Sequence, residues 1–239
     1  WDMNRSICDM YSHIYKGEQS GECYHRYILG VYDLLERFVQ RFPEILLEGC
    51  SGGGGRFDAG MLYYSPQIWC SDNTDAMNRL DIQYGTSFFY PISSVGAHVS
   101  ACPNHQTGRS VPLSTRADVA LAGSFGYELD LRLLSDEEKA QVKEQIKEFH
   151  DYYDLTHEGD YYRLTERDNT SFTAWEFVAK NKERALVEVV KKDAWGNPLP
   201  VHVAIKGLED NSMYVCSLNG IKRSGKTWNH AGITLPKFL

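Results

Sequence analysis

The chain has 239 residues, of which 42% are hydrophobic, and it carries 25 Lys and Arg against 32 Asp and Glu. This is enough apolar material to bury the core of one large globular domain or two smaller ones. The formal net charge of -7, with no basic block, argues against capture of nucleic acid or an anionic lipid surface by charge.

The sequence was also searched for membrane spans, a secretory signal and metal-binding cysteine pairs. No apolar run approaches the roughly 18 residues needed to cross a bilayer, and the first residues lack the charged and apolar regions of a secretory signal. The six cysteines include no C-x-x-C pair, which argues against a zinc site. We therefore expect a cytoplasmic protein with free thiols, no metal, no cofactor and no membrane or nucleic-acid partner.

Short apolar runs alternate with helical patterns in the first half of the chain. Strands are predicted at Trp1–Asn4, at Ile45–Leu47 before Cys50, at "QIWCS" before Asp72, at 87–94 and at 116–131, and a helix is predicted over 23–43, ending at Pro43. Strand–helix alternation implies a parallel sheet. Polar residues at the C-terminal ends of about five such strands are the pattern of a (β/α)8 barrel, which keeps its chemistry there.

The second half of the chain changes character. Ser135, followed three residues later by Glu138, predicts a capping box at the start of a helix with a charged, exposed face. Beyond about residue 155, β-rich runs such as "TAWEFVAK" and "RALVEVVKK" are separated by turn signals such as "WGNP". This pattern predicts a small all-β domain.

Four consecutive glycines, Gly52 to Gly55, raise the question of a phosphate-binding loop. A dinucleotide fingerprint fails because Asp58 stands where its third glycine should be and because "RFDAGMLYYSP" is a poor helix start. A Walker loop fails because no Gly-Lys-Ser/Thr follows. A flexible turn is the ordinary alternative, but four glycines after a buried strand favour a loop that a ligand can approach closely.

Two carboxylates, Asp2 and Asp72, stand at the head of one predicted strand and at the end of another. Both can therefore face the same barrel mouth, and a pair of carboxyls across a sugar is the minimum equipment for glycoside hydrolysis. Most Asp residues are solvated or cap helices, so the pair alone leaves a structural role open for both.

Four longer motifs carry a resemblance to a known family. In order and spacing, "WDMNR" (1–5), "CSGGGGRFD" (50–58), "WCSDNTDAMNRLDIQYGTS" (69–87) and "GAHVSACPNHQTGR" (96–109) closely resemble the catalytic-domain motifs of family 36 α-galactosidases. The resemblance is dense over roughly the first 130 residues, somewhat more than half of a typical barrel. It implies that Asp2 is the nucleophile, that Asp72 is the acid/base and that Asp75 is a second, non-catalytic aspartate.

The resemblance also implies a galactose pocket. Trp1, Asn4, Cys50, Gly52 and Gly53 would line it, with the glycine loop presenting backbone N–H groups to sugar hydroxyls. Trp69 would either wall the pocket or fill the barrel, and Cys50 would be a polar contact rather than a small buried hydrophobe. The resemblance leaves Arg56 and Arg109 without a role.

The implied activity is retaining hydrolysis of terminal α-linked galactose from melibiose- or raffinose-type oligosaccharides by a homo-oligomer. A galactosyltransferase of the raffinose-synthase type would use the same carboxylates with a sugar acceptor. A non-catalytic carbohydrate-binding module is the alternative outside the enzymes.

The resemblance implies a full-length chain with three domains: an N-terminal β-sandwich, a (β/α)8 barrel and a small C-terminal β-domain. This sequence starts at what would be the fourth barrel strand, without the lysine expected before Trp1. The implied fold is the C-terminal part of a (β/α)8 barrel over 1–154 and a small antiparallel β-sandwich over 155–239. We therefore expect a segment of a longer enzyme that is inactive and prone to associate in isolation.

Overall fold

The computed structural model describes residues 1–2, 10–193, 196 and 200–236. Its α-helices are α1 (Glu22–Arg41), α2 (Ala59–Tyr64), α3 (Ala76–Thr86), α4 (Leu113–Leu121), α5 (Asp136–Glu158) and α6 (Gly225–Ala231). Its strands are β1 (Glu48–Gly49), β2 (Gln67–Ile68), β3 (Gly96–Ser100), β4 (Ser124–Glu128), β5 (Asp160–Arg163), β6 (Phe172–Val178), β7 (Ala185–Lys191), β8 (His202–Val203), β9 (Met213–Val215), β10 (Lys222–Ser224) and β11 (Ile233–Thr234). None of the described helices combines the length and the apolar character that a membrane span requires.

The chain divides into two compact units. The first comprises Trp1–Asp72 with Ser94–Gly96, and the second comprises Asn73–Ser93 with Ala97–Leu239. The predicted domain boundary between 154 and 155 divides the chain differently and stays a prediction.

In the first unit, helix α1 covers a short parallel sheet. Its apolar residues recur every three or four positions, which gives an amphipathic helix with one buried stripe. That stripe centres on Leu35, 1% exposed, and packs against Leu47, Met61 and Ile68. Strand β1 pairs in parallel with β2, and Ile68 of β2 forms a parallel bridge to Val95. The predicted helix over 23–43 and the predicted strand at "QIWCS" are confirmed.

In the second unit, strands β3 and β4 pair with each other and pack against helices α4 and α5. The buried core of this region consists of Ala97, Val99, Leu113, Ala117, Ala120 and Val142. The predicted capping box is present at the start of α5. The Glu138 N–H donates to Ser135 Oγ at 3.2 Å, and the Ser135 N–H donates to Glu138 Oε2 at 2.9 Å.

The rest of the second unit has two β layers. Strands β5, β6 and β7 form an antiparallel sheet, and β8 pairs with β11 while β9 pairs with β10, both antiparallel. Because side chains alternate along β6, one face directs Ala174 and Val178 toward Val203, Ile205 and other residues of the second layer. The predicted β-rich character beyond residue 155 is confirmed, with α6 as a helical addition.

The predicted strand at 87–94 is wrong. Helix α3 runs to Thr86, Ile92–Ser94 is a short 3-10 helix, and the strand begins at Gly96. The aromatic side chains that suggested a buried strand are largely exposed, at 56% for Phe88 and 84% for Phe89. Pro91 also lacks the N–H that an interior strand position would donate.

The predicted strand at 116–131 is only partly right. Its first part belongs to helix α4, and only Ser124–Glu128 is a strand. Leu113, Ala117 and Ala120 are spaced by four and three residues and bury together on one helical face. A run of small apolar residues is equally compatible with a buried strand and a buried helix.

Two expectations around the glycine loop also need correction. The residues after it do form a helix, α2, because Asp58 Oδ1 accepts the Met61 N–H at 2.9 Å and so caps its first turn. The strand predicted at Ile45–Leu47 pairs slightly later, at Glu48–Gly49, and Leu46 is 86% exposed.

One carboxyl is buried between the β layers. Glu176 of β6 is 0% exposed, and its Oε2 accepts the Lys206 N–H at 2.9 Å, while its Oε1 has no hydrogen-bond partner among the described residues. Burial raises the pKa of Glu176 to about 8, against the opposing effects of the Lys206 N–H and of nearby lysine charges. Ionising this carboxyl therefore works against folding.

We predict that Glu176→Gln stabilises the protein at neutral pH. A carboxyl whose pKa rises from 4.5 to about 8 on folding adds no penalty below pH 4.5, and its penalty grows as the pH rises toward 8. The Gln amide keeps an acceptor for Lys206 but cannot ionise, so the expected gain at pH 7 is about 3 kcal/mol. Urea unfolding at pH 4 and pH 7 measures it.

Glu144→Gln, on the exposed face of α5, is the control because it removes the same charge without burial. A gain for Glu176→Gln that is equal at both pH values would contradict the burial argument.

Candidate active site

The first two residues of the chain lie beside β1. The Trp1 backbone nitrogen donates to the Glu48 carbonyl at 2.6 Å, and the Cys50 N–H donates to the Trp1 carbonyl at 3.0 Å. Two such bonds on either side of Gly49 are the pattern of a parallel ladder. Trp1 is therefore aligned in parallel with β1, and Asp2 follows at the end where β1 leads into Cys50.

The Asp2 carboxylate is held by a backbone donor. Asp2 Oδ1 accepts the Ser51 N–H at 3.0 Å. Ser51 has a φ of 89°, a left-handed conformation that is uncommon for a residue with a Cβ and that clusters at functional sites. The motifs did not indicate Ser51 because a positive φ at a non-glycine residue leaves no signal in the sequence.

Asp72 stands at the end of the segment that follows β2. The Trp69 indole Nε1–H donates to Asp72 Oδ1 at 3.1 Å. Trp69 is itself anchored, since its backbone N–H donates to the Gly49 carbonyl at 2.8 Å and its side chain is buried. Asp72, like Asp2, is exposed to solvent and so accessible to a substrate.

The pKa of the Cys50 thiol responds to both carboxylates. Burial raises this pKa, and a hydrogen bond to Asp2 and the negative charges of Asp2 and Asp72 raise it further, while a hydrogen bond with the Gly53 backbone acts in the opposite direction. The thiol therefore remains a neutral hydrogen-bond donor. Its contact with a sugar stays a prediction.

The glycine loop packs against the segment that carries Asp72. Gly53 and Gly54 have φ values of 72° and 91°, which glycine adopts readily. A Cβ on Gly53 would lie 2.4 Å from the Asp72 backbone nitrogen, and one on Gly54 would lie 2.9 Å from the Cys70 carbonyl oxygen. The backbone of the segment that carries Asp72 therefore packs directly against Gly53 and Gly54. Substrate contact by Gly52 and Gly53 stays a prediction.

Of the remaining residues predicted to line the pocket, the structure describes Trp1 but not Asn4. Trp1 is 45% exposed, so its ring is accessible to a ligand. Asn4 lies outside the described residues. Across the described ranges, no group of three or more His, Cys, Asp or Glu side chains is arranged to hold a metal ion.

In the second unit, Asp75 is the centre of a buried polar network. Its Oδ1 accepts the Asn78 N–H at 3.0 Å, which caps α3, and accepts from Arg109 NH1 at 2.7 Å. Its Oδ2 accepts from Thr107 Oγ1 at 2.6 Å. Burial alone would raise the pKa of Asp75, but Thr107, the helix N–H groups and the Arg109 charge outweigh burial and lower it. Asp75 is thus a saturated structural carboxylate, and Arg109 gains the role that the sequence left open.

Two family models match the chain. The model described as Melibiase matches residues 1–159, and the model described as Glycosyl hydrolase family 36 C-terminal domain matches residues 172–238. Among curated relatives, the bifunctional alpha-galactosidase/sucrose kinase AgaSK of Mediterraneibacter gnavus is 55% identical over 238 residues, which is 100% of this chain and 25% of the relative.

Solved structures agree. Two variants of the alpha-galactosidase AgaA from Geobacillus stearothermophilus, one in complex with raffinose and one with stachyose, are each 46% identical and cover 99% of this chain and 33% of theirs. Their TM-scores are 0.95 and 0.94. The predicted fold class, the C-terminal part of a (β/α)8 barrel followed by a small antiparallel β-sandwich, is confirmed. The chain spans a quarter to a third of the length of these relatives.

We predict that Asp75→Asn destabilises the protein by about 1 to 2 kcal/mol, because it removes the charge that pairs with the half-exposed Arg109 and the Oδ2 acceptor of Thr107. Asn retains an oxygen that can cap α3, so the loss reports the charge and the Thr107 bond rather than the cap. Urea unfolding at pH 7 measures it.

Asp136→Asn is the control, since Asp136 stands in the first turn of α5 with its side chain 99% exposed. Equal effects of the two substitutions would show that the Asp75 network contributes nothing beyond general helix electrostatics.

Proposed function

Because this chain belongs to glycoside hydrolase family 36, the α-galactosidase family that its motifs resemble, we propose that the whole protein is a retaining exo-α-galactosidase. It removes terminal α-linked galactose from oligosaccharides of the melibiose and raffinose type. The binding of raffinose and stachyose by variants of AgaA supports this substrate class. Cytoplasmic location and homo-oligomeric assembly stay predictions.

The observation that carries the proposal is the parallel alignment of Trp1 and β2 on the two sides of β1, which places Asp2 and Asp72 after strand ends at the same edge. The negative charges of both acids also raise the pKa of the Cys50 thiol. Each carboxylate also has a fixed donor on Oδ1, the Ser51 N–H for Asp2 and the Trp69 indole for Asp72. Two exposed, oriented carboxylates at neighbouring strand ends are the equipment of a double displacement.

In the first step, Asp2 attacks the anomeric carbon as the glycosidic bond breaks, and Asp72 gives its proton to the leaving oxygen. This yields a galactosyl ester on Asp2 and the shortened sugar. In the second step, Asp72 takes a proton from water, whose oxygen bonds to the anomeric carbon and releases Asp2. Two inversions at one carbon leave the product with the configuration of the substrate.

The surroundings suit these roles. The Ser51 N–H donates to Asp2 Oδ1 and so orients this carboxylate for attack. Cys50 adds a second neutral donor beside it, and neutral donors orient the nucleophile while leaving its charge available. Trp1, with its exposed ring, and the loop of Gly52 and Gly53 are the proposed walls for the galactose ring.

The two acids should respond differently to the leaving group. Asp72→Ala should lower kcat/KM for raffinose by at least about 100-fold but largely spare kcat/KM for a nitrophenyl galactoside, which needs little protonation to leave. Asp2→Ala should abolish both reactions because no galactosyl ester forms. Initial rates with the two substrates measure this.

Added azide should rescue both variants and give galactosyl azides of opposite anomeric configuration. Equal losses on both substrates without azide rescue would mean that the two aspartates have structural roles.

The whole protein should release galactose with retained α configuration. Proton NMR of the first product, recorded before mutarotation, distinguishes the anomers. Retaining enzymes place their two carboxyls about 5 to 5.5 Å apart, whereas inverting enzymes leave room for a water molecule between them. Initial release of β-galactose would rule out the double displacement and the nucleophilic role of Asp2.

A further inference from the structure

We infer that Trp69 is a positioning residue for the acid/base Asp72, rather than a wall of the sugar pocket. The inference rests on the proposed function, because it assigns Trp69 a role through the carboxyl that donates the proton. Its basis is the hydrogen bond from the indole Nε1–H to Asp72 Oδ1, at 3.1 Å.

The indole is fixed on several sides. Its side chain is buried, and its backbone N–H is bonded to the Gly49 carbonyl at 2.8 Å. Gly96 packs directly on the ring, since a Cβ at this glycine would lie 3.0 Å from Trp69 Cε3. A ring packed this closely cannot turn away without displacing its neighbours, so the direction of the N–H is set by the fold.

The main chain of Asp72 is restrained separately. Gly53 approaches its backbone nitrogen so closely that even a methyl group at Gly53 would clash. The glycine loop thus restrains the backbone nitrogen of Asp72, and the indole N–H restrains its Oδ1. With both restraints in place, the remaining freedom of the side chain is small.

This arrangement divides the work of the two carboxyl oxygens. Oδ1 accepts the indole N–H, which leaves Oδ2 to carry the proton. In the first half-reaction the Oδ2–H proton passes to the leaving oxygen as the bond between that oxygen and the anomeric carbon breaks. In the second, water returns a proton to Oδ2 while its oxygen bonds to the carbon and Asp2 departs. The indole bond serves both halves because Oδ1 remains an acceptor whether or not Oδ2 is protonated.

A pocket wall would have a different geometry. Stacking on a sugar needs an exposed ring face, whereas Trp69 is 9% exposed and its polar group is already engaged by Asp72. Trp1, 45% exposed, is better suited to that task.

The test is Trp69→Phe in the whole protein, which removes the N–H and keeps a smaller aromatic ring. Turnover of raffinose should fall roughly 10- to 100-fold, because misplacement of a catalytic group costs on that order. KM for raffinose should change little. For a nitrophenyl galactoside kcat/KM should be nearly unaffected, because this ratio reports only the steps up to departure of the nitrophenol, which needs little protonation.

Trp175→Phe is a matched control. Trp175 is also buried, and its indole N–H also donates to a carboxylate, that of Glu188, within the second unit. It should lower stability to a similar extent without changing the ratio of the two activities.

The outcomes separate the hypotheses. A rise in KM for both substrates, or equal losses of kcat/KM on both, would overturn the positioning role while Asp72→Ala still distinguishes the substrates. If Asp72→Ala itself fails to distinguish them, the acid/base assignment is wrong and the inference about Trp69 falls with it.

Discussion

The parallel alignment of backbone on both sides of β1 is the constraint on which the candidate site depends. Trp1 bonds to one edge of this short strand and β2 to the other. Parallel strands reach their C-terminal ends at the same edge of a sheet. Asp2 and Asp72, which are distant in sequence, therefore follow strand ends at the same edge.

The orientation of the two carboxylates depends on local hydrogen bonds. Asp2 and Asp72 are both exposed, and each side chain could turn if only solvent surrounded it. The fold gives each one a neutral N–H donor, from the Ser51 backbone and from the Trp69 indole. Neutral donors orient a carboxylate while leaving its charge available for chemistry, whereas an arginine would pair with it. In the second unit the buried carboxylate of Asp75 is instead paired with a charged donor, Arg109.

The sequence predicted those parts of the structure that depend on residues close together in the chain. The amphipathic period of α1, the capping box at Ser135 and the alternation of the late strands each depend on residues a few positions apart, and all three were right. The runs at 87–94 and 116–131 were misjudged because apolar content does not say whether a segment will be buried as helix, buried as strand or left exposed. In the site, the motifs indicated Asp2, Asp72 and Cys50. The donors to the two acids depend on a positive φ at Ser51 and on the direction of one indole, which are set by tertiary packing.

The close packing of Gly53 against Asp72 has a consequence at the level of the gene. Every glycine codon is GGN, and any single-base change in its first two positions that still encodes an amino acid introduces a residue with a Cβ. At Gly53 that first added carbon would overlap the backbone nitrogen of Asp72. No small evolutionary step is therefore open at this codon except a silent one.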